Sequence, residues 1–197
     1  MTFSGVVGTI ASILGVAFIW PQVYRVYAKQ SVEGVSGTSQ LIGVTSTLMW
    51  LTYGITTDRV PMIVSNASIE VAIIALMVML VRKKSLPLWQ PVLAFATSAV
   101  FCVVFAFVSS AVIGVTGVII GTPAIIPQVW RAIRTKHLFG VSVSTNVLLA
   151  AMGTSWFLYG LAIDDPVVSY PNLVLIPSAS FIEWRSWSSH RASLSQA

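Results

Sequence analysis

The stretch Ile19-Trp20-Pro21-Gln22-Val23-Tyr24-Arg25 returns 106 positions later as Ile125-Ile126-Pro127-Gln128-Val129-Trp130-Arg131. Slid by that offset, residues 4–66 pair with residues 110–172 without a gap. Of the 63 pairs 18 are identical, where about five would arise by chance in so biased a composition. The matches cluster. Gly34-Val35-Ser36 meets Gly140-Val141-Ser142, Trp50, Tyr53 and Gly54 meet Trp156, Tyr159 and Gly160, Asp58 meets Asp164, and Asn66 meets Asn172. Pro, Gln, Trp and Asn are not default lipid-facing residues, so an apolar composition alone does not generate these pairs. The chain carries an internal duplication.

Around the duplication the composition is that of a membrane protein. Of the 197 residues 56% are hydrophobic and 9% charged, and the mean hydropathy is +0.86. A soluble domain carries roughly 25% charged residues, so a water-soluble globule is excluded. A helical span needs about 20 apolar residues, and seven runs qualify, approximately Val6–Tyr24, Thr38–Thr56, Val60–Val81, Leu86–Val108, Val112–Trp130, Val141–Ile163 and Val167–Ile182. Ser109-Ser110 divides the fourth run from the fifth. The first run lacks a basic leader and has a counterpart later in the chain, so it reads as a span and not a secretory signal.

Ten of the eleven Lys and Arg residues fall on one side of these spans, after the first, third, fifth and seventh. Only Arg59 lies on the other side, together with Asp58, Asp164 and Asp165. The positive-inside rule then predicts an outer N-terminus and a cytoplasmic C-terminus. It also accounts for the net charge of +5 without a nucleic-acid partner. Cys102 is the single cysteine and lies in an apolar run, and His137 and His190 lie in polar segments. No disulfide, metal centre or cofactor is expected.

Each repeat holds three spans, so a direct fusion would invert the second copy. The unmatched fourth span restores its orientation. The expected architecture is all-α, with seven transmembrane helices in a 3+1+3 order. It divides as a first repeat over 1–84, a linker helix over 85–109, a second repeat over 110–184 and a polar, unstructured cytoplasmic tail over 185–197. Parallel repeats of this kind place a binding site near the midplane, where the halves meet.

The PQ dipeptide ending the first span of each repeat, the GVS after the basic loop, the W-x-x-Y-G and the downstream Asn resemble the SWEET sugar transporters and the wider PQ-loop (MtN3/saliva) family, over roughly residues 4–184. The resemblance implies two triple-helix bundles, each packed first, third, second, around a central sugar cavity. It implies a plasma-membrane facilitator of a mono- or disaccharide, working by alternating access, and leaves room for a homo-oligomer.

Candidate residues follow. An indole face matches the apolar face of a pyranose, which marks Trp50 and Trp156. An amide both donates and accepts, as a pair of sugar hydroxyls requires, which marks Asn66 and Asn172. The Trp-to-Asn spacing is the same in both repeats. Ser46 and Met152 precede each Trp by one turn and share its face. Pro21-Gln22 and Pro127-Gln128 lie in apolar helices, where a proline removes a backbone hydrogen bond and permits a hinge. The resemblance also implies prolines near the starts of the second and sixth spans. Ser39 and Thr145 stand there instead. Tyr53 and Tyr159 stand near the outer mouth, where Arg59 facing Asp164 would make a weak, openable gate.

Glu70 is the only acid at the centre of a span, one turn beyond Asn66, and its repeat partner is Ile176. An ionisable residue there is a functional candidate by default, for a proton or a cationic solute. It opens an alternative within the same fold, an amino-acid exporter or exchanger. Intramembrane catalysis would need a His or paired Asp at membrane depth, and both His and every Asp lie outside the spans, so no enzyme is expected. A retinal-type receptor would need a lysine in the seventh span, which has none.

Overall fold

The computed structural model describes residues 2–134 and 143–194, and among these described residues there are nine α-helices and one 3₁₀ turn. They are α1 (Phe3–Lys29), α2 (Gly37–Thr56), α3 (Val60–Arg82), α4 (Trp89–Ala106), α5 (Ser110–Gly121), the 3₁₀ turn Thr122–Ile125, α6 (Ile126–Arg134), α7 (Val143–Ala162), α8 (Pro166–Ser169) and α9 (Asn172–Leu194). By length and composition Phe3–Lys29, Val60–Arg82, Trp89–Ala106 and Ser110–Arg134 could each cross a bilayer. Packing divides the chain into two compact units, Gly8–Gly121 and Thr122–Ala197, the latter joined by Met1–Val7.

In the first unit α3 lies between α1 and α2. Along α1, Ser12 Oγ donates to the Pro61 carbonyl at 2.7 Å, Trp20 Nε1 to Ser68 Oγ at 2.9 Å and the Tyr27 hydroxyl to the Ala75 carbonyl at 3.0 Å. These partners advance in step, so α1 and α3 run parallel. Val23 and Val26 of α1 pack with Ala72, Leu76 and Met79. On its other side α3 meets α2 through Val44, Ile73 and Met77, with Phe95 of α4 against them. Helix α4 runs beside α2, with Ser98 Oγ donating to Thr45 Oγ1 at 2.9 Å and the Cys102 thiol reaching Met49 Sδ at 3.9 Å. The first–third–second order holds here.

The loop before α2 shows why GVS belongs in the sequence. Gly34 has φ +76°, a left-handed conformation that costs glycine little. Arg25 Nη1 donates to the neighbouring Glu33 carbonyl at 3.1 Å. Ser36 then caps α2, its side chain accepting from Ser39 N. The matching Gly140-Val141-Ser142, with Lys136 and His137, lies outside the described residues, as do the side chains of His190 and Arg191.

The second unit repeats the order. Ile125 and Ala132 pack on Ile182 of α9, and Arg185 Nε donates to the Ala132 carbonyl at 3.2 Å. On the other side of α9 lies α7, closest at its glycines. A β-carbon on Gly153 would stand 3.2 Å from Ile176 Cγ1 and 3.3 Å from Leu175 Cδ2.

The structure corrects three expectations. The fifth span is not one uniform helix over Val112–Trp130, because Thr122–Ile125 winds as a 3₁₀ turn. Pro123 has no N–H to donate, so the α-helix that ends at Gly121 loses its next bond there, and a new helix starts at Ile126 with Pro127 in its first turn. The seventh span is interrupted at Tyr170–Pro171, between α8 and α9, again where a proline replaces a donor. The polar stretch from Ser186 is no unstructured tail as far as Leu194, since α9 continues through it.

Candidate functional site

The two repeats supply two half-sites, one in each unit. In the first, Trp50 and Ser46 project from one face of α2 toward a small-residue stripe on α5. A β-carbon on Gly117 would stand 3.3 Å from Trp50 Cε2 and Nε1, and one on Gly121 only 2.5 Å from Ser46 Oγ. Ser46 Oγ donates to the Gly117 carbonyl at 3.4 Å. Glycine lets the helix backbones approach, and here it seats the indole directly on α5. Tyr53 meets Trp50 edge to face, with centroids 5.9 Å apart at 85°.

Asn66 is level with Trp50 across the α2–α3 pair. Toward one end Gly54 faces Met62 and Ile63, and toward the other Gly43 faces Ile73. Stepping along the two antiparallel helices from either contact brings residues 50 and 66 to the same height. Asn66 Nδ2 donates to the Met62 carbonyl one turn earlier, at 2.9 Å. Its amide oxygen and its second N–H are left to address a ligand.

The second unit reproduces this geometry. Trp156 and Tyr159 lie 5.7 Å apart at 77°, and Asn172 Nδ2 donates to the Val168 carbonyl at 2.8 Å. Asn172 Oδ1 lies over α7, 3.5 Å from where a Gly153 β-carbon would be. Met152, next to Gly153 in sequence, is half-buried. The repeats differ at the approach to this Asn. Asn66 sits inside the continuous α3, whereas Asn172 opens α9 after the break at Pro171.

The PQ pairs also occupy unlike settings. Pro21 and Gln22 lie inside the unbroken α1. Pro127 and Gln128 fall in the first turn of α6, where a proline costs no helical bond. The expectation that both prolines lie inside apolar helices therefore holds for Pro21 alone.

Around the candidate gate, Tyr53 and Tyr159 are both buried, at 4% exposure each. Arg59 is the N-cap residue of α3, makes no side-chain cap, and has a buried Nε without a hydrogen-bond partner. Asp164 is exposed with φ +53°, matching Asp58 at +54°. The recurrence of Asp at these positions has a backbone cause, because Asp tolerates the left-handed region better than most residues. Asp165 caps α8, accepting from Val167 N at 3.0 Å and Val168 N at 3.3 Å.

Glu70 is 6% exposed, and neither carboxylate oxygen has a hydrogen-bond partner. The α2–α3 register sets it at the height of Ser46.

Residue types alone did not single out the glycines that set these distances. Gly54 and Gly160 were visible as repeat matches, as was Gly121 with Gly15, but Gly117 has no match, and only the packing of α5 on α2 gives Gly117 and Gly121 a role.

Residues 3–61 match the PQ loop repeat, and residues 95–179 match the family described as sugar efflux transporter for intercellular exchange. Among curated proteins the chain is 28% identical to the bidirectional sugar transporter SWEET11 of Oryza sativa, over 88% of this chain and 61% of that protein. It is 23% identical to SWEET11 of Arabidopsis thaliana, over 88% of this chain and 66% of that one. The chain thus spans about three fifths of the length of the first curated relatives it matches. A solved eukaryotic SWEET transporter superposes with a TM-score of 0.80 at 15% identity, covering 96% of this chain and all of that one. That likeness gives the fold as the seven-helix, 3+1+3 arrangement of a multi-pass membrane protein. In its matched segments and in its fold the chain is thus similar to the SWEET/PQ-loop family.

Proposed function

We propose that the protein facilitates diffusion of a small sugar, mono- or disaccharide, across the plasma membrane. The observation that carries this reading is the recurrence of one constellation in both repeats. Each has a Trp held edge-on by a buried Tyr, level with an Asn that commits one of its two amide N–H groups to its own helix. Flat aromatic surface suits the C–H face of a sugar ring, and the free amide oxygens accept from its hydroxyls. The relatives named bidirectional sugar transporters support the same substrate class.

In this reading Trp50, Asn66, Ser46, Trp156, Asn172 and Met152 bind the sugar in a cavity between repeats 1–84 and 110–184, joined by the linker over 85–109. Alternating access exposes the cavity to each side in turn, Pro21-Gln22 and Pro127-Gln128 serving as hinge segments. Tyr53, Tyr159, Arg59 and Asp164 form the outer gate, with the N-terminus outside and the C-terminus in the cytoplasm. Nothing in it calls for a cofactor or for catalysis, and a homo-oligomer is compatible with it. The test is uptake of radiolabelled hexoses, disaccharides and amino acids into proteoliposomes. Saturable flux of a sugar down its gradient is expected.

A second reading has a specific observation in its favour. The unpartnered carboxyl of Glu70 would suit an ammonium group or a proton, which fits an amino-acid exporter or exchanger. Saturable amino-acid flux without sugar flux in the same panel would select it.

A further inference from the structure

A groove of about 650 Å³ lies between α2 and α4, away from the half-site residues of the first unit. Thr38, Leu41, Ile42 and Thr45 line one wall, Trp89, Leu93, Ala94 and Thr97 the other, and Ile120 of α5 contributes to the lining. The volume lies within the ~300–1,000 Å³ range of ligand pockets. On each wall the residues recur at helical spacing, so each helix turns one continuous face to the groove.

The wall is drier than its composition suggests. Thr97 Oγ1 donates to the Leu93 carbonyl at 2.8 Å, and Thr45 Oγ1 donates to the Leu41 carbonyl while accepting from Ser98. Their hydroxyl protons are spent inside the fold, and their methyl groups complete an apolar lining. The Ser98–Thr45 bond ties the two helices together at the inner end of the groove. The occupant is therefore a hydrocarbon chain and not a sugar.

The mouth has the opposite character. Trp89 is 62% exposed at the start of α4, with Gln90 beside it. Arg82, Lys83 and Lys84 end α3 at the same edge, all exposed. They are held there. Ser85 N and Leu86 N both donate to the Leu80 carbonyl, Lys84 turns through φ +58°, and the buried Leu86 side chain packs against Gly37, next to Thr38. A cationic rim with an interfacial Trp above an apolar slot complements a phosphate headgroup above an acyl chain.

We propose that this groove binds an anionic glycerophospholipid, one acyl chain lying between α2 and α4 and the headgroup on Lys83 and Lys84. The site is independent of the sugar cavity, and its occupancy would brace the linker helix α4 against the first repeat.

The test is native mass spectrometry of the full chain in detergent, titrated with dioleoyl phosphatidylglycerol or dioleoyl phosphatidylcholine. A retained one-to-one adduct is expected, tighter for phosphatidylglycerol. Lys83→Gln/Lys84→Gln, both at exposed positions, should weaken the phosphatidylglycerol adduct about tenfold or more and bring it to the level of phosphatidylcholine. Ala94→Phe fills the slot and should remove both adducts, with helix content by circular dichroism showing that the chain still folds. Equal retention of the two lipids by the wild type, or no effect of the lysine pair, would overturn the proposal. So would crosslinking of Thr97→Cys chains to one another in membranes on a Cys102→Ala background, which would put a second copy in the groove.

Discussion

Gly160 leaves no room for a β-carbon beside Ser169. Built there, it would stand 2.6 Å from the Ser169 backbone nitrogen and 2.9 Å from its Cα. Gly54 makes the equivalent approach in the first repeat with more space, its β-carbon 3.1 Å from Met62 Cβ and 3.2 Å from Ile63 N. Both glycine carbonyls accept from the residue that leads into the next helix, Arg59 N and Asp165 N, each at 2.8 Å. The glycine of W-x-x-Y-G is thus a hairpin residue that brings the second and third helices of each repeat together.

Gly160→Ala should therefore destabilise more than Gly54→Ala. Overpacking typically costs ~1–3 kcal/mol, and backbone atoms cannot rotate aside, so Gly160→Ala belongs at the upper end. The expected result is a melting temperature lower by about 5 °C or more, against a smaller drop for Gly54→Ala. Scanning fluorimetry of the purified variants measures it, and an equal drop would contradict the difference in spacing.

How far the sequence reveals this fold is clearest at the loop before α2. Gly34 and Ser36 were legible as half of a repeated GVS, and the structure gives each a backbone task, a left-handed turn and a helix cap. Span number, the 3+1+3 order and the family likeness were legible because they rest on hydropathy and on repeat identity. The breaks at Thr122–Ile125 and Pro171 were not, since an apolar residue in a 3₁₀ turn has the same hydropathy as one in an α-helix. Of the half-sites, the Trp and Asn positions were visible, but the seat of Trp50 on Gly117 was not. It depends on helix pairs distant in sequence and carries no local pattern.

The repeated Trp–Asn constellation predicts matched losses of transport. Trp50→Ala, Asn66→Ala, Trp156→Ala and Asn172→Ala should each reduce sugar flux about ten- to hundredfold, the worth of ~1–3 kcal/mol of lost interaction. Phe101→Ala removes an exposed ring on α4 that stacks on Phe105, and should leave flux within about twofold. Proteoliposome uptake, normalised to incorporated protein, measures both. Equal losses at all five positions would point to folding and not to a sugar cavity.

The charge asymmetry predicts the topology. On a Cys102→Ala background, Ser31→Cys, Lys84→Cys and Ser188→Cys should be shielded from an impermeant thiol reagent in intact cells, whereas Asp164→Cys should label. Lys84 and Asp164 are exposed residues in left-handed turns, so access at these two sites reports sidedness. Labelling of Ser188→Cys from outside would break the span count.

Glu70 separates the two functional readings. Its carboxyl is buried with both oxygens unpartnered, at the height of Ser46 on α2, and its repeat counterpart is Ile176. A buried charge without a partner is costly, so the side chain must carry its own proton, meet water, or meet a cationic solute. Glutamine keeps the shape and removes the charge, which makes Glu70→Gln the informative change. For a sugar facilitator, flux through the wild type should ignore an imposed pH gradient, and Glu70→Gln should transport within about twofold of it. Glu70→Lys places a cation in the same apolar setting, at a cost of ~2.5–3.5 kcal/mol at a span centre, and should lower both yield and flux. Proteoliposome uptake with inward and outward pH gradients reads all three proteins. If wild-type flux follows the gradient and Glu70→Gln abolishes that response, Glu70 carries a coupled proton and the protein is not a simple facilitator.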